Sequence, residues 1–523
     1  MANIILFTDR SPTSLEIEGT EQLINLSTRP AGVYKIASVL REHGYTVSVV
    51  PNSLQLSFNG LKKFIAANSK DLLWVGLSTT FFTVRSNSIE QYRELWATTD
   101  KSIIDLAILQ NNQNNGLVIR TEIAWSTTEL NLIADFIKSN YNATLVLGGA
   151  WVSQNKDGCL DIQKTNVHVV TEMAEDYVVE LSQALKLKLP IPFQLSSKEG
   201  IQDFKASAIN YISTDYIDAD EWLPIEISRG CSFKCAYCTY DFKGRDDTTK
   251  YAKNLKAELI RNYEQWGVTK YHLLDDLYND SDRKVKLLYD EVWSQLPFKP
   301  EWVSYLRLDL LWNNPESAKW IEASGCKLGG FGIETLHDLA GKKVGKGLGK
   351  QRIVETLEML NEIWGDRVLI NALMIAGLPY EPYEHIVETI KWLEQTNLVN
   401  SYYYQPLWVT PPEHKSFVLK QNAMSEDYEK YQLSWGADGW VNNMGVSFTM
   451  AAQLSINCMR QRYKNAVPVG LSEYPELRRA GYSHNQIANK EFNSTILEHI
   501  KDQKYVINDL ILIRLAQILK NTD

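Results

Sequence analysis

The chain has 523 residues, 44% of them hydrophobic, enough to bury more than one core, so two or three domains are expected. A formal net charge of −9 and a pI near 5.6 disfavour a function built on bulk positive charge, such as duplex binding, and point instead to a small-molecule or peptide substrate. The N-terminal MANIILFTDRSPTSL lacks the basic start and cleavage site of a secretory signal, and no apolar run reaches the roughly 18 residues that cross a bilayer, so a cytoplasmic protein without a membrane partner is expected.

In chain order, NIILFT (3–8) reads as a strand and AGVYKIASVLREH (31–43) as a helix that stops at Gly44; TVSVV (46–50) and LLWVGLS (72–78) follow as strands. A polar insertion, QNNQNNG (110–116), reads as a surface loop. Helical TELNLIADFIKSNY (128–141), strand TLVLGGA (144–150), strand VHVV (167–170) and helical EDYVVELSQAL (175–185) continue the alternation. Strands alternating with helices predict an α/β, doubly wound parallel sheet over residues 1–187, and 188–222 reads as a linker with some local structure.

A second alternation starts at LPIEIS (223–228). Strands are expected at YHLLDD (271–276), WVSYLRLD (302–309), KLGGFGIE (327–334), VLINALMIAGLP (368–379) and SYYYQPLWV (401–409), each preceded by a helical segment. Six β-then-α units predict an open, partial barrel over 223–410, with its chemistry at the C-terminal ends of the strands. Residues 411–523 are rich in Tyr and Trp and are expected to be mostly helical. Trp435, Trp440 and Tyr463 there suit a lid or substrate floor, and equally suit ordinary core packing.

The chain's six cysteines do not form a disulfide framework for a protein of this size, since Cys159, Cys326 and Cys458 are scattered. The other three are clustered: Cys231, Cys235 and Cys238 fall within RGCSFKCAYCTYDFKG (229–244), spaced C-x3-C-x2-C, directly after the first barrel strand. Thiolates favour zinc or iron–sulfur centres. Structural zinc sites close with four ligands, and no fourth Cys or His lies nearby, His272 and Cys326 being the next candidates. A four-iron cube held by three thiolates leaves one iron open.

With Tyr237 in the aromatic position, Cys231, Cys235 and Cys238 make this segment resemble the radical S-adenosylmethionine (SAM) superfamily, over roughly 223–410. The resemblance implies a 4Fe–4S cluster on the three cysteines, SAM chelating the open iron beside Tyr237, and reductive cleavage to a 5′-deoxyadenosyl radical. It further implies SAM contacts from Asp275 and Asp276 after the second strand and from Arg307 after the third. Gly329, Gly330, Gly332 and Glu334 would contact it at the end of the fourth strand, and Gly377 and Pro379 after the fifth. Alternatives stand beside these: the two aspartates can cap a loop, the arginine can sit on a core rim, and Gly377 with Pro379 can be only a turn.

A doubly wound domain before such a barrel resembles the cobalamin-binding class of radical SAM enzymes, carried here by RPAGVYKIASVLREHGYTVSVV, VGLSTT, VLGGAW and EMAEDYVVEL. That implies cobalamin approached by Ser78, Thr79, Thr80, Gly148 and Gly149. The DxHxxG signature of the lower histidine ligand is missing, since TDRSPTSLEIEGT holds no His, and Thr171 stands where a glycine is often found; the first domain can also be a vestige. GKKVGKGLGK (341–350) lacks the order of a phosphate loop and resembles the class's lysine-containing loop. Cys159, Cys326 and Cys458 are too dispersed for a second cluster, which disfavours sulfur insertion. The expected activity is a cobalamin-dependent C-methyltransferase on a small molecule or peptide, fed by an electron donor such as flavodoxin or ferredoxin. A cobalamin-independent rearrangement, cyclisation or oxidation enzyme is the alternative, and a noncatalytic cluster-binding protein the reading from another class.

Overall fold

The computed structural model describes residues 3–8, 29–50, 58–85, 124–152, 166–191 and 203–464, with short interruptions inside these ranges, and two short strand segments at 15–16 and 23–24. The 110–116 insertion, most of the loop after the first strand, Cys159 and everything after 464 lie outside the described residues, as does the side chain of Tyr463.

The first unit runs β1 (Ile4–Phe7), α1 (Ala31–Glu42), β2 (Val47–Val50), α2 (Phe58–Asn68), β3 (Trp74–Ser78), α3 (Thr127–Tyr141), β4 (Thr144–Gly148), β5 (Val167–Val169) and α4 (Glu175–Leu187). The strands form one parallel sheet in the order β2-β1-β3-β4-β5. Every residue of β1 is buried, because the period of two sends alternate side chains into separate cores. Ile5, Phe7, Val75 and Leu77 meet α2 and α3 through Leu61, Ile65, Leu130 and Ile137. Ile4, Leu6, Trp74 and Val146 meet α1 and α4 through Val33, Leu40, Val178 and Leu181. The sheet is therefore wound on both faces, and its order reverses between β1 and β3, which opens a crevice at the C-terminal strand ends.

The second unit runs β6 (Trp222–Ile225), α5 (Ala252–Trp266), β7 (Lys270–Leu273), α6 (Asp282–Glu291), β8 (Glu301–Leu306), α7 (Glu316–Ala323), β9 (Cys326–Glu334), α8 (Asp338–Val344), α9 (Lys350–Trp364), β10 (Leu369–Ala376), α10 (Tyr383–Gln395) and β11 (Ser401–Pro406). Its six strands pair in sequence order, all parallel. Trp222, Val303, Leu328 and Leu369 pack together and plug the N-terminal end of the lumen. Two residues further along the strands the register row is Tyr305–Gly330–Asn371–Ser401. Gly330 contributes no side chain there, the Tyr305 ring lies against it, and Tyr305 stays 49% exposed in mid-strand, so the lumen above the plug is open.

Two expectations are corrected. The third barrel strand stops at Leu306 and a short helix, Leu308–Asn313, begins at once, which makes Arg307 its N-cap residue. In the described part of residues 188–222, Ile209 and Tyr211 are buried in the barrel core, and Asp215 is 4% exposed. The described part of the C-terminal region is not mostly helical. Before α11 (Phe448–Lys464) it folds a hairpin, β12 (Leu433–Gly436) with β13 (Gly439–Asn442), in which Trp435 pairs with Trp440 and Gly439 turns at φ +83°. Trp440 is 1% exposed and donates its indole N–H to the Leu407 carbonyl at 3.0 Å.

The hairpin locks the loop after β10. Gly377 has φ +93°, and a Cβ there would lie 2.1 Å from the Trp440 ring. Gly377→Ala therefore adds a left-handed backbone strain to an overpacked contact and should cost about 2–4 kcal/mol, read as a lowered melting temperature with the rest of the far-ultraviolet spectrum unchanged.

Candidate active site

The loop from Arg229 to Gly244 leaves β6 at the open mouth of the barrel, and the chain around it fixes each of its three cysteines. The Ala236 N–H donates to the Val344 carbonyl at 3.0 Å, and the Cys235 thiol lies 3.9 Å from the Gly345 carbonyl, so the C-terminal end of α8 clasps the motif from beside β9. The Tyr240 N–H is 3.3 Å from Cys238 Sγ, and Lys243 Nζ donates to the Cys238 carbonyl. All three thiols are free; Cys235 is 8% exposed and the other two are partly exposed. Burial pushes the pKa of the Cys231 and Cys238 thiols up, and metal binding to a thiol displaces its proton. Among the described residues no three of His, Cys, Asp and Glu converge as one metal ion requires. A cube is different, because it takes its thiolates at three separate corners.

Glu334 ends β9 beside this loop and is 7% exposed. Its Oε1 accepts from the Tyr237 hydroxyl at 2.8 Å and sits 3.2 Å from Lys346 Nζ, which also donates to the Gly332 carbonyl at 2.6 Å. Burial, then the Glu334 charge, keeps the Tyr237 hydroxyl far above its usual range, so it stays a donor. Lys346 is the residue of GKKVGKGLGK that reaches Glu334, a partner the sequence pattern does not reveal. A Cβ on Gly332 would lie 2.5 Å from Glu334 Oε1, so this glycine makes room for the protein's own carboxylate.

The other expected residues separate into two groups. Asp275 is 3% exposed and its Oδ1 accepts from the backbone N–H groups of Ile227 at 2.9 Å and Ser228 at 2.8 Å, which shapes the approach to the cysteines. Asp276 instead opens into the mouth, where burial lifts its carboxyl to about 6. The Arg307 fork is occupied by Asp309, at 2.8 and 2.6 Å, and its guanidinium stacks 3.5 Å above the Phe233 ring. Only its Nη1 turns to the site, 3.6 Å from Cys235 Sγ. Neither Asp309 nor Phe233 was legible as a partner. Deeper in the lumen, burial pushes His272 down to about 4, so it is neutral at pH 7.

Where the two units meet, a cavity of about 290 Å³ lies over the C-terminal ends of β1, β3 and β4. Ser78, Thr80, Gly148 and Gly149 line it from the first unit, Glu226, Arg229 and Leu274 from the barrel. Its walls are otherwise largely apolar, the usual character of a small-molecule site, and no histidine lines it among the described residues. Thr79 does not reach it: fully buried, its hydroxyl donates to the Gly148 carbonyl at 2.9 Å and accepts from the Val152 N–H at 3.2 Å, tying the β3 and β4 loops together. Lys35 crosses the wall with Nζ 2.5 Å from Ser207 Oγ; burial, reinforced by Lys250, pulls its pKa from 10.5 to about 8. Cys326 and Cys458 are buried, Cys458 with its pKa raised by burial to about 12.

Residues 225–393 match the model of the radical SAM superfamily, so the barrel is a radical SAM domain. The chain is 23% identical over 174 residues to an uncharacterized methyltransferase of Pyrococcus horikoshii, covering 33% of this chain and 36% of the relative. It is 25% identical over 210 residues to the anaerobic magnesium-protoporphyrin IX monomethyl ester cyclase of Cereibacter sphaeroides, covering 40% and 33%. The chain thus spans about a third of the length of both. Among solved structures it resembles the radical SAM methyltransferase TsrM of Kitasatospora setae with cobalamin and a 4Fe–4S cluster bound, at TM-score 0.55 and 14% identity over 86% of this chain and 84% of that one. It also resembles the cobalamin-dependent radical SAM enzyme OxsB with aqua-cobalamin and SAM bound, at TM-score 0.53 and 12% identity over 98% and 72%. At such identity the likeness is one of fold: an α/β chain built on parallel sheets.

The Lys35 shift has a sign that can be tested. Its folded-state pKa lies below its unfolded one, so between pH 8 and 10.5 the unfolded chain binds more protons and stability from this residue rises with pH. Urea unfolding of the native chain and of Lys35→Met across that range should show the native chain gaining on the variant as pH increases; a constant difference would contradict the assignment.

Proposed function

We propose that the chain is a radical SAM enzyme whose cobalamin-dependent activity is methyl transfer to carbon of a small-molecule or peptide substrate. The observation that carries it is the convergence at one barrel mouth of three thiols without a fourth ligand, the Glu334–Tyr237–Lys346 group, and a cavity at the seam with the first unit. The donor set fits a 4Fe–4S cluster on Cys231, Cys235 and Cys238, with SAM on the open iron and cobalamin in the seam cavity. When bound, cluster and SAM supply an adenosyl radical for hydrogen abstraction, and cobalamin supplies a methyl group.

The chain's own residues do the rest. Cys231, Cys235 and Cys238 hold the cluster, and Arg307 Nη1 offsets negative charge at Cys235. Asp276, open to the mouth, accepts from the amino group of SAM, and Glu334 from its amino group or a ribose hydroxyl. Tyr237 flanks SAM. Gly330 leaves lumen space for substrate; Gly377 and Pro379 shape the loop on the adenine side. Ser78, Thr80, Gly148 and Gly149 face the corrin, whereas Thr79 holds their loops in register. Apolar walls hold water away from the reacting centre. No histidine lines the cavity among the described residues, so its lining would hold cobalamin by surface contact. A flavodoxin or ferredoxin would supply the electron.

A second reading, radical cyclisation or rearrangement with the first unit as scaffold, is favoured by the likeness to a cyclase. Anaerobic incubation of the reconstituted chain with SAM and dithionite should release 5′-deoxyadenosine, and Cys235→Ala should lose both this product and the four-iron absorption. No 5′-deoxyadenosine would sink both readings. Corrin absorbance after reconstitution with hydroxocobalamin is expected; its absence would leave only the second.

A further inference from the structure

Glu334 is held in an unusual backbone conformation. Its φ is +68°, in the left-handed region that a side chain disfavours. The Thr335 N–H donates to the Ile333 carbonyl at 2.9 Å, closing a three-residue γ-turn of the rare, strained hand. Strain of this kind persists only where the surroundings over-determine it, and here they can be named. The Thr335 hydroxyl donates to Glu381 Oε1 at 2.6 Å and accepts from the His337 N–H at 2.8 Å.

Glu381 is itself fixed. It is 1% exposed, sits in the loop after β10, and its Oε1 is 3.0 Å from His385 Nδ1. Its backbone carbonyl accepts from Asn442 Nδ2 of β13 at 3.1 Å. Its second oxygen, Oε2, is buried without a hydrogen-bond partner among the described residues. A carboxylate taken out of water with one oxygen unmet is destabilising, and such a group is retained where its geometry serves something else. What it reaches is the turn that aims Glu334 at Tyr237 and Lys346.

We infer that Thr335 and the buried Glu381 are positioning residues, which hold Glu334 in its strained turn and so deliver its carboxylate to the mouth beside the cysteine loop. Neither residue faces the mouth itself. The inference rests on the proposal that Glu334 contacts bound SAM, and it extends that contact back to the next strand and, through Asn442, to the C-terminal hairpin. Without the Thr335–Glu381 bond the turn relaxes to negative φ and the carboxylate leaves the position in which Tyr237 and Lys346 meet it.

The test uses the full, anaerobically reconstituted chain and equilibrium dialysis with radiolabelled SAM, with the melting temperature of each variant as a folding control. Glu334→Gln should weaken SAM binding about tenfold. Thr335→Val should weaken it by about fivefold or more, whereas Thr335→Ser, which keeps the hydroxyl, should stay within about twofold. In a Glu334→Gln background Thr335→Val should add no further loss. A crystal structure of the ligand-free Thr335→Val chain should show Glu334 out of the left-handed region. If Thr335→Val does not fold, Glu381→Gln takes its place in the same cycle. Native SAM affinity in Thr335→Val, or an equal loss with and without the Glu334 carboxylate, overturns the positioning role. If Glu334→Gln binds SAM as tightly as the native chain, it is the contact itself that fails, whereas the backbone change at Glu334 is read independently of SAM.

Discussion

Arg229 is the joint on which the molecule turns. It stands two residues before Cys231 and is 8% exposed. Its guanidinium reaches Glu175 at 2.9 Å in the first turn of α4, and Glu226 at 2.7 Å just past β6. It also lies 4.5 Å over the Phe204 ring from the connecting segment. One cation therefore touches the first sheet's helix layer, the connection and the barrel, and it does so at the root of the cysteine loop. Desolvation works against such a charge, but the carboxylates of Glu226 and Glu175 more than offset it, so its pKa is raised. Removing either carboxylate would leave a buried charge without full compensation, which is far more destabilising than never having had the pair.

The same logic recurs along the seam. Arg29 binds Glu221 with both arms, at 2.6 and 2.9 Å, and donates to the Asp215 carbonyl; Arg41 binds the Asp215 carboxylate at 2.8 and 2.9 Å. These forks are planar and bidentate, so they constrain orientation as well as distance. A seam fixed in this way can keep a cavity between two units at constant shape. Hydrophobic contact alone, being non-directional, would allow them to slide.

Much of the architecture was legible because its signals are local. The short apolar runs of β1 and β3, helical spacing in α1 and α3, and the spacing of Cys231, Cys235 and Cys238 are all set by neighbours within a few residues. Asp276 and Glu334 lie at strand ends, where the sequence pattern puts them. What could not be read depends on pairing across long stretches of chain. Asp275 looked like Asp276, yet one binds two backbone amides and the other opens to the mouth; the difference is the position of Ile227 and Ser228, about 48 residues away. The fork of Arg307 was expected to be available, but Asp309, only two residues on, takes it once the strand breaks into a helix at Leu308. Thr79 and Ser78 are adjacent, and the pleat alone separates a buried hydroxyl from one that lines the cavity. The hairpin at Trp435 and Trp440 carried aromatic residues that suit helix or strand, and its Gly439 turn was the one local clue.

The mouth is also more interdependent than a set of strand ends. The end of α8 grips the cysteine motif through Val344 and Gly345, and Lys346 just after it grips Glu334. The loop after β10 is gripped in turn by the hairpin, with Asn442 on the carbonyls of Leu378 and Glu381 and Asn443 on the Tyr380 N–H at 2.8 Å. Glu334 and Tyr380 both hold positive φ, so strain is stored in two neighbouring strand-end loops. Strained loops relax unless each contact is kept. The surroundings of the three-cysteine motif are thus distributed over segments as far apart as Glu175 and Asn443. The C-terminal hairpin is tied into this chain of contacts: Asn442 holds the Glu381 carbonyl, the Glu381 carboxylate accepts from Thr335, and Thr335 follows the Glu334 that meets Tyr237.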